Sequence, residues 1–149
     1  MPLTEYISTG EVKRVCEKLG FRDWSKITDP TVTEEETAAI LKLVNTTNMN
    51  ITIENFKQGL EVELEHGTRY EEANVTNNHP VLTGKIVLAH LKESMDYYKR
   101  IDVAEIEGDL LAAVLSKNLG KIESKFKELV EAQKILNQSV ADQLEADAG

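Results

Sequence analysis

The sequence contains few of the residues that stabilise small secreted or β-rich domains. It has one cysteine, three prolines and only 5% aromatic residues among its 149 positions. A single cysteine excludes an intramolecular disulfide and indicates a reducing compartment. The shortage of aromatic residues disfavours a β-sandwich and favours an aliphatic helical core. Because Cys16 lies in an apolar pattern with Val15 and Leu19, we interpret it as a small core residue.

Basic residues are also scarce, since 17 Lys and Arg face 26 Asp and Glu, which gives a formal net charge of −9. This balance argues against non-specific nucleic-acid binding, which depends on cationic side chains neutralising phosphates. It argues equally against an anionic membrane surface. No apolar run reaches the length of a membrane span. The first residues lack the basic segment and the apolar run of a signal peptide. We therefore expect a cytoplasmic protein in the cell that makes it.

Four segments of the first two-thirds of the chain have helical spacing and helix-start signals. The first three are expected to begin after the N-cap residues Ser8, Thr33 and Thr52, and the fourth at Pro80. The second helix is expected to bury Ala39, Ile40, Leu43 and Val44. The third is expected to end at His66, with Gly67 as its stop. The fourth is expected to run to about Glu93, and His79 before it is interpreted as a solvated loop residue.

After Gly108 the apolar residues recur at alternating intervals of three and four. This alternation is typical of a heptad seam on one long amphipathic helix. The sequence therefore predicts an all-α fold with a compact four-helix domain at residues 1–107 and a long C-terminal helix within residues 108–149. The seam could fold back onto the domain, pair with a second copy, or bind another protein. Its members, including one polar position, are Leu115, Leu119, Ile122, Phe126, Leu129, Gln133, Leu136 and Val140.

Two histidines each lie three residues from a glutamate, as Glu63/His66 in the third helix and His90/Glu93 in the fourth. Residues three apart share one face of a helix. The most continuous apolar face of the fourth helix contains His90 and Glu93 together with four apolar residues. A buried ionisable group needs a partner, so the two pairs are expected to meet in a dry interior. The apolar neighbours on that face are Leu82, Ile86, Ala89 and Tyr97.

Two chemical interpretations of these four residues stay open. Glu63, His66, His90 and Glu93 together would suit a Zn, Fe or Mn ion, because two imidazoles and two carboxylates are common ligands of these metals. In the alternative, they form a structural polar network without a cofactor. His90 would then bond Glu63, and His66 would lie at a helix C-terminus, where the helix dipole favours a cation.

The segment from about residue 12 to residue 101 resembles a family of uncharacterised proteins defined by the motif ELEHG, which occurs in bacteria, archaea and viruses, including phages. The resemblance implies a shared fold and shared inward-facing residues, but no activity. The sequence departs from the family pattern at His79, where an acidic residue is usual, at Met95, where a proline is usual, and over residues 102–107. The matching pieces are residues 56–67, 74–76 and 83–91, then Glu93 and residues 96–98.

No nucleophile, phosphate-binding loop or oxyanion-hole motif accompanies the Glu/His pairs, so the sequence does not predict an enzyme. We expect a non-enzymatic interaction or structural accessory protein whose partner, another protein or a second copy, binds the C-terminal helix. The family's occurrence in phages makes a virion-associated assembly role one expectation. The alternative is a metal-binding helical protein that uses the Glu/His residues.

Overall fold

The computed structural model describes residues 7–149, and all regular secondary structure in that part of the chain is helical. The all-α prediction and the long C-terminal helix are therefore confirmed. Two 3₁₀ turns, Trp24–Lys26 and Glu71–Ala73, join the longer elements. No helix of the described residues is long and apolar enough to cross a membrane. The helices are α1 (Thr9–Leu19), α2 (Glu34–Val44), α3 (Ile53–Arg69), α4 (Pro80–Glu93), α5 (Tyr97–Leu115) and α6 (Leu119–Ala148).

The chain divides into two compact units, one ending at Lys92 and the other beginning at Glu93. The first unit holds α1, α2, α3 and nearly all of α4, and the second holds α5 and α6. Helix α5 passes through Gly108 without interruption. The expected start of a separate C-terminal segment at residue 108 therefore lies inside this helix.

The helix starts of the first unit follow the capping residues of the sequence. Ser8 and Thr52 accept hydrogen bonds from the backbone N–H groups of Glu11 and Asn55. Thr33 and Glu36 form a complete capping box, in which each side chain accepts from the other residue's backbone N–H. Gly20 ends α1 with φ of 74°, a left-handed conformation that glycine adopts without strain. Each of these satisfies backbone groups that a helix end leaves unpaired.

The core of the first unit is built from aliphatic side chains around Trp24, which is fully buried. Helix α3 contributes the buried side chains of Phe56, Leu60 and Leu64 to this core. In α2, Ile40 and Val44 are buried as expected, but Leu43 is 49% exposed. The expectation for Leu43 was wrong because only one side of α2 packs against the core. The other buried apolar residues of this unit are Val12, Cys16, Val32, Ile51, Val87, Leu88 and Leu91.

Helix α4 presents a different face to the core from the one expected. Its buried face contains the small residues Thr83 and Gly84, whereas Ala89 and Glu93 are exposed. The absence of a side chain at Gly84 lets the backbone approach the core closely. A Cβ atom there would lie 2.4 Å from Ile40 Cγ2. Close approach of two elements therefore decides which side of this helix is buried.

The second unit is a helical hairpin in which α6 packs along α5. The chain reverses at Ser116–Asn118, where Lys117 has φ of 55° and the Asn118 side chain accepts from the backbone N–H of Lys121. The predicted single seam is therefore interrupted, because Leu115 ends one helix and Leu119 begins the next. Its spacing of four residues continues across the turn by coincidence.

Asp96 links the two helices at the end of the hairpin that lies away from the turn. Its carboxylate is 3% exposed and accepts hydrogen bonds from Arg100 Nε at 2.8 Å and Nη2 at 2.9 Å, from Gln143 Nε2 at 3.2 Å, and from the Ser94 hydroxyl. The bonds from Arg100, helped by those from Ser94 and Gln143, lower the pKa of Asp96 to about 2 although burial opposes the shift. The bond to Gln143 ties the last part of α6 to the start of α5.

Candidate functional site

Glu63 lies between two histidines at the surface of the first unit. His90 Nδ1 on α4 is 3.1 Å from Glu63 Oε1, and His66 Nδ1 on α3 is 4.0 Å from Glu63 Oε2. The sequence therefore identified three side chains that do come together. The shorter distance is that of a hydrogen bond, and the longer one is only a close electrostatic contact.

The fourth predicted residue and the predicted burial differ from expectation. The exposed fraction of the side chain is 17% for Glu63, 30% for His90 and 59% for His66. Glu93 is exposed and belongs to the second unit. The expectation of four residues in a dry interior was wrong, because α4 buries the face that contains Thr83 and Gly84 and leaves His90 at its edge.

A small cavity of about 110 Å³, lined by both polar and apolar residues, lies beside Glu63 and His66. Its volume is that of a few water molecules. The wall opposite the helices comes from the loop after α3 and contains Asn74 and Asn78. The remaining lining residues are Gly67, Ala73, Val75, Thr76, Thr83 and Ile86.

Gly67 does not end α3, which continues to Arg69, so the predicted stop was wrong. Its role is to make room for the loop after the helix, because a Cβ atom there would lie 2.2 Å from Asn78 Oδ1. Asn78 is 5% exposed and donates to the carbonyl of Trp24. The Asn74 amide donates to the carbonyl of Gly67 and to Asn78 Oδ1. Gly67 thus allows the hydrogen-bonded pair of Asn74 and Asn78 to pack closely against the last part of α3.

This geometry can hold a proton between a carboxylate and an imidazole, and it can orient the His90 ring. Among residues 7–149 no group of three or more His, Cys, Asp or Glu is arranged to hold a metal ion. The bond between His90 and Glu63 is the one that the structural-network alternative requires, and His66 does lie in the last turn of α3. Metal binding at Glu63, His66, His90 and Glu93 stays a prediction.

His79 has a role that sequence reasoning missed. It was expected in solvent, but it is 7% exposed. Its Nδ1 atom faces the backbone N–H groups of Val81 at 3.2 Å and Leu82 at 3.3 Å and accepts from them, so the imidazole caps α4. The resemblance described above implies an acidic residue at this position, and aspartate is a common N-cap. That departure was the available signal of a capping role. An imidazole supplies the same acceptor only when its Nδ1 atom is unprotonated.

We expect acid to weaken the capping of α4. Burial lowers the pKa of His79 from 6.5, and the attraction of Glu11 offsets this only in part. The stabilisation of α4 by His79 is therefore present above pH 6.5 and is lost as the pH falls through the lowered pKa of the folded state. Unfolding followed by circular dichroism at about pH 7.5 and about pH 5 should show a loss of up to about 1 kcal/mol that His79→Asn lacks. Equal losses in both proteins would contradict the capping role.

A second candidate site is the outer surface of the α5–α6 hairpin. Eight of the twelve large apolar side chains that are exposed among the described residues lie on it. They are exposed by 48% to 80%, and four of them surround the turn between the helices. The eight are Leu111, Val114, Leu115, Leu119, Phe126, Val130, Ile135 and Leu144.

Most of the predicted seam is divided between two sides of α6. Its remaining apolar members, Ile122, Leu129, Leu136 and Val140, are half-buried. Leu129 and Leu136 lie on the side that contains the buried Ala132, whereas Ile122 and Val140 lie at the edge of that side. Leu115, Leu119, Phe126 and Gln133 are exposed. The exposure of Leu119 and Phe126 leaves an apolar surface on α6 that the hairpin itself does not cover.

A stripe along α6 contains four of its five exposed large apolar side chains and, at its edge, the half-buried Val140. We define the outer stripe as seven residues that share an arc of about 80° on a helix with 100° per residue. Ile135 lies on nearly the opposite side of α6. The outer stripe consists of Leu119, Phe126, Val130, Gln133, Asn137, Val140 and Leu144.

The chain was also compared with known proteins. A family model described as "Protein of unknown function (DUF5661)" matches residues 12–107. No curated protein and no solved structure matches the chain. The matched segment contains Glu63, His66, His90 and Glu93, ends inside α5, and leaves out all of α6. The resemblance to an uncharacterised family is thereby confirmed.

Proposed function

The chain belongs to the DUF5661 family of proteins of unknown function, and we propose that it is a non-enzymatic helical interaction protein that binds its partner through the α5–α6 hairpin. The observation that carries this proposal is the concentration of exposed large apolar side chains on that hairpin. Exposed apolar surface of this extent marks interaction sites more often than it marks free surface. From the sequence resemblance alone, we further propose that the partner is part of a larger assembly, such as a virion.

The hairpin is suited to this role because its two helices bury little of their own apolar surface. Only Ala132 is buried on α6, and α5 buries Tyr98, Ile106 and Ala113. Most helical stability in proteins comes from packing an apolar face. A partner that covers the outer stripe would therefore stabilise the hairpin while it binds. Exposed charged residues of α6, such as Lys127 and Glu123, which pair at 2.9 Å, keep its remaining surface in water.

Affinity capture with matched variants tests the proposal. The tagged full-length chain is presented to an extract of cells that make it, alongside Phe126→Glu on the outer stripe and Ile135→Glu on the opposite side of α6. Bound chains, including untagged copies of the protein itself, are identified by mass spectrometry. We expect Phe126→Glu to lose a bound chain that the wild type and Ile135→Glu retain. Identical binding by all three proteins would overturn the proposal.

The alternative function is metal binding by the Glu/His residues, and three of the four lie together in the first unit. Glu63 would supply the carboxylate and His66 and His90 the imidazoles of a Zn, Fe or Mn site. Elemental analysis of protein purified without chelator tests it. A content near one equivalent, lost in Glu63→Gln, would support metal binding. Less than about a tenth of an equivalent would remove it, because structural metal sites bind tightly enough to survive purification.

A further inference from the structure

We propose that the partner of the outer stripe is a second copy of the same chain, with the two α6 helices paired antiparallel. This inference rests on the proposed function and names its occupant. Leu119, Phe126, Val130 and Leu144 are exposed by 80%, 57%, 51% and 67%. A symmetric pair buries the same surface twice, so one stripe is enough to form a closed dimer.

The part of the stripe from Phe126 to Leu144 is complementary to its own reverse. From Phe126 to Leu144 the positions of its residues alternate by four and three along α6, which is the spacing of a helix–helix seam. When the helix is laid antiparallel on a copy of itself, Phe126 falls opposite Leu144 and Val130 opposite Val140. In the same register, Gln133 falls opposite Asn137.

The pairing of the two amides is the strongest feature of this register. Gln133 and Asn137 are both exposed and lie in the middle of the stripe. Each would interrupt an apolar interface if it faced a leucine, because a buried amide without a partner is costly. Opposite each other, the two amides can exchange hydrogen bonds. Polar residues at such positions select one register and one orientation. The two-fold symmetry places this pair twice in the dimer.

The charges of α6 favour the antiparallel orientation. The first ten residues of the helix carry Lys121, Lys125 and Lys127 against two glutamates, whereas the last ten carry only the acids Asp142, Glu145 and Asp147. A parallel pair would bring the two acidic ends together. An antiparallel pair places each acidic end beside a lysine-containing start, and the helix dipoles also oppose each other. Charge and polar pattern therefore favour the same arrangement.

Analytical ultracentrifugation of the purified full-length chain tests this inference. We expect a concentration-dependent species with twice the 16.7 kDa mass of the chain. Phe126→Glu should weaken dimerisation at least about thirtyfold, because it places a charge in the interface. Ile135→Glu should leave dimerisation unchanged. Circular dichroism of the same samples establishes that each variant keeps its helices.

Two outcomes would overturn the inference. One is a monomer at every concentration up to about the millimolar range, where even weak pairs associate. The other is equal weakening by Phe126→Glu and Ile135→Glu. Either result would remove the second copy as the partner. Neither would by itself remove the proposed function, because the capture experiment could still identify a different chain bound to the outer stripe.

Discussion

Replacing Gly84 by alanine is expected to destabilise the protein by about 2 kcal/mol. The new Cβ atom would lie 2.4 Å from Ile40 Cγ2, 3.4 Å from Val44 Cγ1 and 3.6 Å from Phe56 Cζ. Ile40 and Phe56 are completely buried, so neither can move into solvent. Helices α2 and α4 would have to separate, and the loss of packing would exceed the gain of up to about 1 kcal/mol that alanine brings to a helix.

Gly108 provides the matched control, because it too lies within a helix but a Cβ atom there meets nothing within 4 Å. Gly108→Ala should therefore stabilise the protein by about 0.5–1 kcal/mol. Denaturant unfolding followed by Trp24 fluorescence and by far-UV circular dichroism measures both variants. A change of the same sign in both would show that Gly84 does not provide a close contact between helices.

Replacing Asp96 by asparagine is expected to destabilise the second unit, also by about 2 kcal/mol. The carboxylate accepts two short hydrogen bonds from Arg100, and charge-assisted pairs of this kind are stronger than neutral ones. Its pKa of about 2, against 3.8 in the unfolded chain, corresponds to stabilisation of about this size. An asparagine also turns an amide donor towards groups that are themselves donors.

The same shift predicts a pH dependence with a definite sign. The stabilisation from Asp96 is complete above pH 3.8 and is lost as the pH falls towards about 2. The asparagine variant should lack this loss. Asp109→Asn is the control, because Asp109 on the same helix is exposed and contacts Lys125 at 3.4 Å, so its removal should cost less than about 0.5 kcal/mol. Equal effects of the two substitutions at neutral pH would contradict the role of Asp96.

The helix starts were predictable from sequence because their signals are local. Ser8, Thr33 and Thr52 each cap the helix that follows them, and Pro80 is the first residue of α4. At the first three starts the residue that gives the signal is the residue that makes the contact, whereas at α4 Pro80 gave the signal and His79 makes the contact. Capping depends on atoms within one turn of the helix, so it does not depend on the rest of the fold.

The buried face of α4 was not predictable in the same way. Hydrophobicity placed Leu82, Ile86 and Ala89 inward, because the helix is apolar on most sides. The structure instead buries Thr83, Gly84 and Val87. Gly84 contributes almost no hydrophobicity, and its importance comes from the residues of α2 and α3 that approach it. A single sequence does not contain that information, since it depends on two other helices.

The turn between α5 and α6 was missed because the spacing of apolar residues is the same on both sides of it. Asn118 was the available signal, since asparagine is a favoured N-cap. Its side chain accepts a hydrogen bond from the backbone N–H of Lys121, three residues later. At the candidate site, the contacts of Glu63 with His66 and His90 were predicted, but the predicted exclusion of water was wrong. Burial depends on how each helix is rotated about its axis. Because the wrong face of α4 was expected to be buried, His90 was also wrongly expected in the interior.

The orientation of two α6 helices can be measured directly with disulfides, because the only native cysteine, Cys16, is buried. Phe126→Cys and Leu144→Cys chains are mixed, allowed to exchange subunits and oxidised gently. In the antiparallel pair these positions face each other, whereas two copies of either residue lie about 27 Å apart along the helix axis. The account predicts disulfides between the two different chains and few between identical ones. Disulfides mainly between identical chains, or none at all, would contradict it.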